Sequence, residues 1–345
     1  MKCITFYHER FKHFRDRGTD KLTDNWQLVN NELALVEERL RRVVEKAGPE
    51  IKTVGSYITE SAGKRIRPAL FLIAAYQDEQ SLNKYIDIAA ALELLHTASL
   101  LHDDVIDQAS TRRGKETAHL KWSNKIAVLS GDYVLSRVFE ILVGYGDWRL
   151  MNVIVEIVKN LAEGEVQQAF ASYSSPNLEQ GYFEWIGKKS ASFFAGCCEA
   201  GSLVAGEDSA EQQLWSQFGY NLGIAFQLVD DLLDYNGRGE STGKPVYGDL
   251  NNRVLTLPLI RALQSGQDDI KVQLVSYMKQ EKDDKSSFDK AVQAVLTSDG
   301  SDYTLKKAEE FAGEALKIAD RVAKNCPEKA DVLANLTRSL LLRSK

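Results

Sequence analysis

The sequence predicts an all-α fold built as one large helical domain. Three observations carry this expectation. The six prolines, Pro49, Pro68, Pro176, Pro245, Pro258 and Pro327, leave long proline-free stretches at 69–175, 177–244 and 259–326. Proline inside a helix removes a hydrogen bond and clashes with the preceding turn, so these stretches have room for long helices. They are also rich in Ala, Leu, Glu, Lys and Gln, all good helix formers. Finally, apolar residues recur at steps of three and four rather than two.

In chain order, residues 1–30 form an N-terminal extension without an assignable element, and 31–345 form the helical domain. The opening MKCITFYHERFKHFRDRG has no apolar core and is not a signal peptide. Leu33, Leu35, Val36, Leu40, Val43 and Val44 mark an amphipathic helix. Segment 85–107 is apolar nearly all round until its end, which predicts a central buried helix, and 212–234 reads the same way. Segment 304–325 predicts an amphipathic surface helix. Loops are expected at 236–245, 174–177 and 298–302, where Gly, Pro, Ser, Asn and Asp cluster. No Gly/Ser linker or composition shift divides the chain.

Composition narrows the function. The chain has 345 residues, 44% hydrophobic and 27% charged, with a net charge of −6. An acidic balance argues against nucleic acid as the main partner, although local cations can still bind phosphate. Cys3, Cys197, Cys198 and Cys326 form no CxxC and no zinc-ligand spacing. The longest charge-free stretch, 212–229, holds six Gln, Asn or Ser residues. A membrane span needs about 20 mostly apolar residues. A cytoplasmic protein with at most peripheral membrane contact is expected.

The chemistry concentrates at two helix ends. One apolar helix ends in Asp103, Asp104 and Asp107, and a second ends in Asp230, Asp231 and Asp234. Residues four apart share a helix face, so each triplet gathers carboxylates that repel one another unless a cation compensates. Mg2+ prefers oxygen ligands and is usually held by one or two carboxylates plus substrate phosphates. A single such triplet is more often a solvated helix end; the repeat on a second apolar helix is what points to a metal-diphosphate site.

Cations accompany the aspartates. Lys64, Arg65 and Arg67 sit in a turn bounded by Gly63 and Pro68, Arg112 and Arg113 follow the first triplet, and Lys188 and Lys189 precede a small-residue segment. Each alone reads as a surface cation. Together they suit two diphosphates, one bound through metal and one directly. His96 lies two turns before Asp103 and Gln227 three residues before Asp230. Both read first as core polar groups. The apolar walls of the two helices suggest a dry cavity below a charged rim, matching a lipid diphosphate. Gly239–Pro245 is not a phosphate loop, having too few residues between its glycines and Pro where Ser or Thr should bind Mg2+.

The ordered motifs GKRIRP, LLHTASLLHDDVID, TRRGKETAH, GDYVL, GKKSASFFAGC, FQLVDDLLD and GKPVYGDLNNRVLTLPLI run from Gly63 to Ile260. In order and spacing they resemble the trans-isoprenyl diphosphate synthases (polyprenyl synthases), long-chain type, such as the catalytic subunits of hexaprenyl or heptaprenyl diphosphate synthase. The resemblance implies an all-α bundle around a central cavity, usually a homodimer. It implies Mg2+ held by Asp103, Asp104 and Asp107 on one side and by Asp230 and Asp234 on the other, with Asp231 in support. Arg112, Lys189 and Lys244 would touch the allylic prenyl diphosphate. Lys64, Arg67, His96 and Arg113 would hold isopentenyl diphosphate, and Gln227 would line the reacting centre. Ser190 stands where the family usually has Thr, keeping the hydroxyl, and Asn252 replaces a usual glycine.

The implied reaction is head-to-tail condensation, in which an allylic cation forms as diphosphate departs and the double bond of isopentenyl diphosphate attacks it. Ala98 and Ser99, one turn deeper than Asp103, are small where short-chain members carry Phe or Tyr. That predicts a long product, suited to a quinone side chain. The alternatives are a short-chain farnesyl or geranylgeranyl diphosphate synthase, a catalytic subunit that needs a small partner, and a terpene cyclase or head-to-head coupling enzyme.

Overall fold

The structure is a computed structural model that describes residues 26–45, 47–59, 63–78, 82–235, 247–265, 267–279 and 284–342. The amphipathic N-terminal segment forms α1 (Asn30–Glu45), burying Leu33, Val36, Leu40, Val43 and Val44, while Leu35 stays exposed. Trp26 and Val29, just before it, are also buried in the core. Helices α2 (Pro49–Thr59) and α3 (Ile66–Ala75) follow.

The predicted central helix is α4 (Ile86–Ile106), buried along almost its whole first half. Ala89, Ala90 and Ala91 are fully enclosed, so neighbouring helices approach it closely. It packs on α1, α3 and α6 (Asn124–Tyr145). Between them lies a feature that helical periodicity did not predict. A small hairpin pairs β1 (Thr111–Arg112) with β2 (Lys115–Glu116). Its two turn residues, Arg113 and Gly114, have φ of 53° and 76°. Positive φ at both positions is the mark of a tight hairpin turn, and Gly114 supplies it without strain. The short α5 (Ala118–Lys121) links the hairpin to α6.

Next come α7 (Trp148–Ala169), α8 (Leu178–Ile186) and a five-residue π turn, Gly187–Ala191, which runs directly into α9 (Ser192–Val204). The predicted break at 174–177 lies between α7 and α8. The second central helix is α10 (Ser209–Tyr235), packed between α9 and α15. A Cβ at Gly223 would lie 2.6 Å from the Cα of Ala191, so glycine is what lets α10 close on the π turn.

The remainder comprises α11 (Gly248–Asn251), α12 (Leu257–Ser265), α13 (Asp268–Lys279), α14 (Lys285–Thr297), α15 (Gly300–Val322) and α16 (Pro327–Leu341). One expectation changes here: helix α15 begins at Gly300, inside the loop expected at 298–302, because a residue without Cβ fits against the Pro258 carbonyl, 2.3 Å from where Cβ would stand. As its periodicity predicts, α15 is amphipathic: its alanines at 308, 312, 315 and 319 are buried, and it packs on α10, while its other face stays exposed. The loop expected at 236–245 lies outside the described residues. The two apolar clusters of the core share Phe311 and Leu341 at their margins, giving one helical bundle. Among the described residues no helix is long and apolar enough to cross a membrane.

Candidate active site

The first aspartate triplet occupies the C-terminal end of α4, and the structure divides it. Asp104 is buried and accepts a hydrogen bond from Arg112 Nε of the hairpin at 2.6 Å. Asp103 and Asp107 answer instead to Lys189. Burial pushes Asp103 up to about 6, Glu165 and Asp107 add to the rise, and Lys189 opposes it. Burial raises Asp107 too, with Lys189 opposing the rise and Glu165 and Asp104 adding to it. Burial is the larger cause at both carboxyls, so their ionised forms are poorly solvated, and a bound cation would stabilise them.

Lys189 owes its position to the π turn, where the Ser192 N–H bonds back to the Gly187 carbonyl five residues earlier. Such turns are rare and cluster at functional sites. Its ammonium pairs with Glu165 of α7 and donates to Gln168 Oε1 at 3.3 Å. Burial alone lowers the Lys189 pKa, but Asp103 and Glu165 hold it above its usual value. Helix α7 reaches this close through Gly164, where a Cβ would stand 2.7 Å from the Lys189 backbone nitrogen.

The next residue faces the second triplet. Ser190 Oγ donates to Gln227 Oε1 at 2.6 Å, and Gln227 Nε2 donates to Asp231 Oδ1 at 2.8 Å. The Tyr182 hydroxyl donates to Asp231 Oδ2 at 2.5 Å. Gln227 thus engages Asp231 rather than Asp230, whose face it shares by spacing. Burial pushes Asp231 up to about 7 against these two hydrogen bonds. Asp234 accepts the backbone N–H groups of Gly248 and Asp249, each at 3.0 Å, and so anchors the start of α11. Asp230 is partly exposed beside them.

A third group of side chains is cationic. Arg67 lies against the rings of Phe193 and Phe194, 4.7 and 5.2 Å from their centroids, with its Nε buried and unpartnered. His96 meets Phe193 edge-on at 6.2 Å. Burial and then the charges of Arg67 and Arg113 hold the imidazole well below its usual pKa, so it is neutral near pH 7. Arg113 packs on Gly63, where a Cβ would meet its Nη2 at 2.8 Å, so the GKRIRP turn and the hairpin tip touch. Lys64 is exposed.

Among the described residues, the non-glycine residues at positive φ are Arg65, Gln108, Arg113, Tyr247 and Arg253. All lie in the segments that carry these groups, and backbone strain of this kind is retained where surrounding structure enforces it.

The structure therefore brings together Asp103, Asp107 and Lys189; then Ser190, Gln227 and Asp231; then Arg67, His96 and Arg113. Adjacent residues Lys189 and Ser190 tie the first two groups. Asp104 and Arg112 pair with each other. Lys244 lies outside the described residues. Ala98 is buried on α4, and the Ser99 hydroxyl donates to the His96 carbonyl at 2.9 Å. Sequence reasoning missed Glu165, Tyr182 and Glu93. Glu165 follows Gly164 in a helical segment, and that glycine was the one available signal of close approach. Tyr182 carried none.

Among the described residues no three acidic, imidazole or thiol groups converge to hold a metal ion unaided. That fits Mg2+, which takes much of its shell from substrate phosphates and water. The available donors, Asp103 and Asp107 with Asp230 and Asp234, are all hard oxygens.

Residues 48–295 match the polyprenyl synthetase family. The octaprenyl diphosphate synthase of Escherichia coli is 36% identical over 266 residues, 77% of this chain and 82% of that protein. Heptaprenyl diphosphate synthase component 2 of Geobacillus stearothermophilus is 32% identical over 307 residues, 88% of this chain and 94% of that protein. The crystal structure of a polyprenyl synthase from Caulobacter crescentus CB15, complexed with calcium and isoprenyl diphosphate, superposes with a TM-score of 0.87 at 30% identity, covering 95% of this chain and 100% of that one. A family match over residues 48–295, more than half of the sequence, shows that this chain belongs to the polyprenyl synthetase family.

Proposed function

We propose that this chain condenses isopentenyl diphosphate head-to-tail with an allylic prenyl diphosphate, using Mg2+, to build a long all-trans polyprenyl diphosphate. The observation that carries the reading is the Lys189–Ser190 step. One side chain sits in the field of the first aspartate pair and the next is hydrogen-bonded into the second triplet, so both helix ends serve one substrate headgroup.

Asp103 and Asp107 on α4, with Asp230 and Asp234 on α10, would hold Mg2+, which when bound would supply Lewis-acid stabilisation to the leaving diphosphate. Lys189 and Arg112 add direct positive charge to the same group, with Lys244 assigned there by resemblance alone. Charge that develops on the leaving oxygens meets donors already in place, which is where such sites gain most. Arg67, Arg113, Lys64 and neutral His96 hold the second diphosphate. Gln227, fixed between Ser190 and Asp231, faces the reacting carbons. The allylic C–O bond breaks, the isopentenyl double bond attacks the cation to form the new C–C bond, and the proton then lost passes to the released diphosphate. Apolar walls keep water from quenching the cation.

Small residues at 98 and 99 favour a long product over a farnesyl or geranylgeranyl one, as do relatives whose names specify octaprenyl and heptaprenyl products. A quinone side chain is the endpoint we infer. We assign residues 31–345 to the catalytic domain and the protein to the cytoplasm. Leu129, Val143, Trp148, Val155 and Val166 are exposed on α6 and α7, and exposed large apolar side chains on neighbouring helices support a homodimer. A relative called component 2 makes a small additional subunit the second reading for assembly.

Diphosphate release tests the reaction class. It is expected to require isopentenyl diphosphate, an allylic diphosphate and Mg2+ together. Release from the allylic substrate alone would point to a cyclase instead.

A further inference from the structure

Arg65 is the cation of the GKRIRP turn that has no place among the substrate ligands. It stands at the N-terminus of α3 with φ of 51°, a conformation that costs a non-glycine residue free energy. Its guanidinium is held between two helices. Nε and Nη2 donate to the carboxylate of Glu37 on α1, the latter at 3.1 Å, and Nη1 donates to Glu93 Oε1 on α4 at 2.5 Å. With its fork occupied on both sides, Arg65 is a strut for the turn rather than a phosphate ligand.

Glu93 is the more informative partner. Its side chain is 4% exposed, and it sits one turn before His96 on the same helix. Its negative charge also acts on Arg67 and Arg113, raising both against the lowering caused by burial. Packed cations of like sign repel one another and resist desolvation, so the group needs a buried counter-charge to stay assembled without ligand.

We propose that Glu93 is a positioning residue for the isopentenyl diphosphate subsite. It touches no substrate; through Arg65 it fixes the 63–67 turn, and through its charge it keeps Arg67 and Arg113 converged. This rests on the reading above that these cations take the non-allylic diphosphate.

The test uses the full chain with Mg2+ and both substrates, measuring KM for each substrate with the other saturating. Glu93→Gln and Arg65→Lys are each expected to raise KM for isopentenyl diphosphate by about tenfold while KM for the allylic substrate moves by less than about twofold. A merely structural role would move both constants together with the melting temperature. An unchanged KM for isopentenyl diphosphate, or a parallel rise in both, overturns the proposal. If Glu93→Gln does not fold, Glu37→Gln opens the more exposed arm of the same clamp and is expected to give a smaller rise with the same selectivity; no selective rise there overturns the proposal equally. Wild-type protein that consumes no isopentenyl diphosphate overturns the reaction reading itself, and this inference with it.

Discussion

The Tyr182 hydroxyl donates a 2.5 Å hydrogen bond to Asp231 Oδ2 inside the bundle, joining α8 to α10. Asp231 accepts a second bond from Gln227, so side chains of α8 and α10 hold both of its oxygens in the buried interior. The middle aspartate of the second triplet is thereby a support for Gln227. Tyr182→Phe leaves a buried acceptor without its donor, which costs about 1–3 kcal/mol. Urea unfolding should show that loss together with a lower kcat; unchanged stability would mean that the pair contributes nothing net.

Asp103 is a different case, because its ionised form is disfavoured by burial and by Glu165 and Asp107. Its folded pKa of about 6 lies above the usual carboxylate value. Stability from this group is therefore full at low pH and lost as pH rises through about 6. Asp103→Asn should keep or raise the melting temperature at pH 7.5 without metal, yet reduce turnover by about 10²–10³-fold, the scale for losing one electrostatic stabiliser. A variant that melts lower and still turns over would contradict both halves.

His96 gives a pH dependence of opposite sign. Burial and the neighbouring arginines depress its folded pKa below 6.5. Its contribution is present above about 6.5 and is lost as pH falls toward the folded pKa, since only the unfolded state takes up the proton. Melting temperatures of wild type should fall between pH 7.5 and 5.5 more steeply than those of His96→Gln. Superimposable pH profiles would show that the imidazole is not held neutral.

Ala98→Phe tests the length argument. A large ring one turn below Asp103 should shorten the product distribution without abolishing condensation. An unchanged distribution would place the floor of the cavity elsewhere.

The sequence was most legible where one rule dominates. Proline gaps and apolar periodicity placed α1, α4 and α10, because long helices leave long signals. The aspartate triplets were visible because acidic residues at the end of an apolar helix are costly and repeat. Other features depended on contacts distant in the chain. The π turn at 187–191 has no periodic signature, and what it accomplishes depends on Gly164 of α7 and Gly223 of α10. The pairing of Asp104 with Arg112 required a six-residue hairpin whose two-residue strands are too short for strand periodicity to register. Glu93 sits in an apolar run and reads as an anomaly until Arg65 is placed beside it.

The most direct test of the account is the product itself. Purified protein would be incubated with Mg2+, farnesyl diphosphate and labelled isopentenyl diphosphate, and the dephosphorylated products sized. The account predicts a ladder ending well beyond the geranylgeranyl length. A product that stops at farnesyl or geranylgeranyl length would contradict the long-chain assignment, and no condensation product at all would contradict the reaction reading itself.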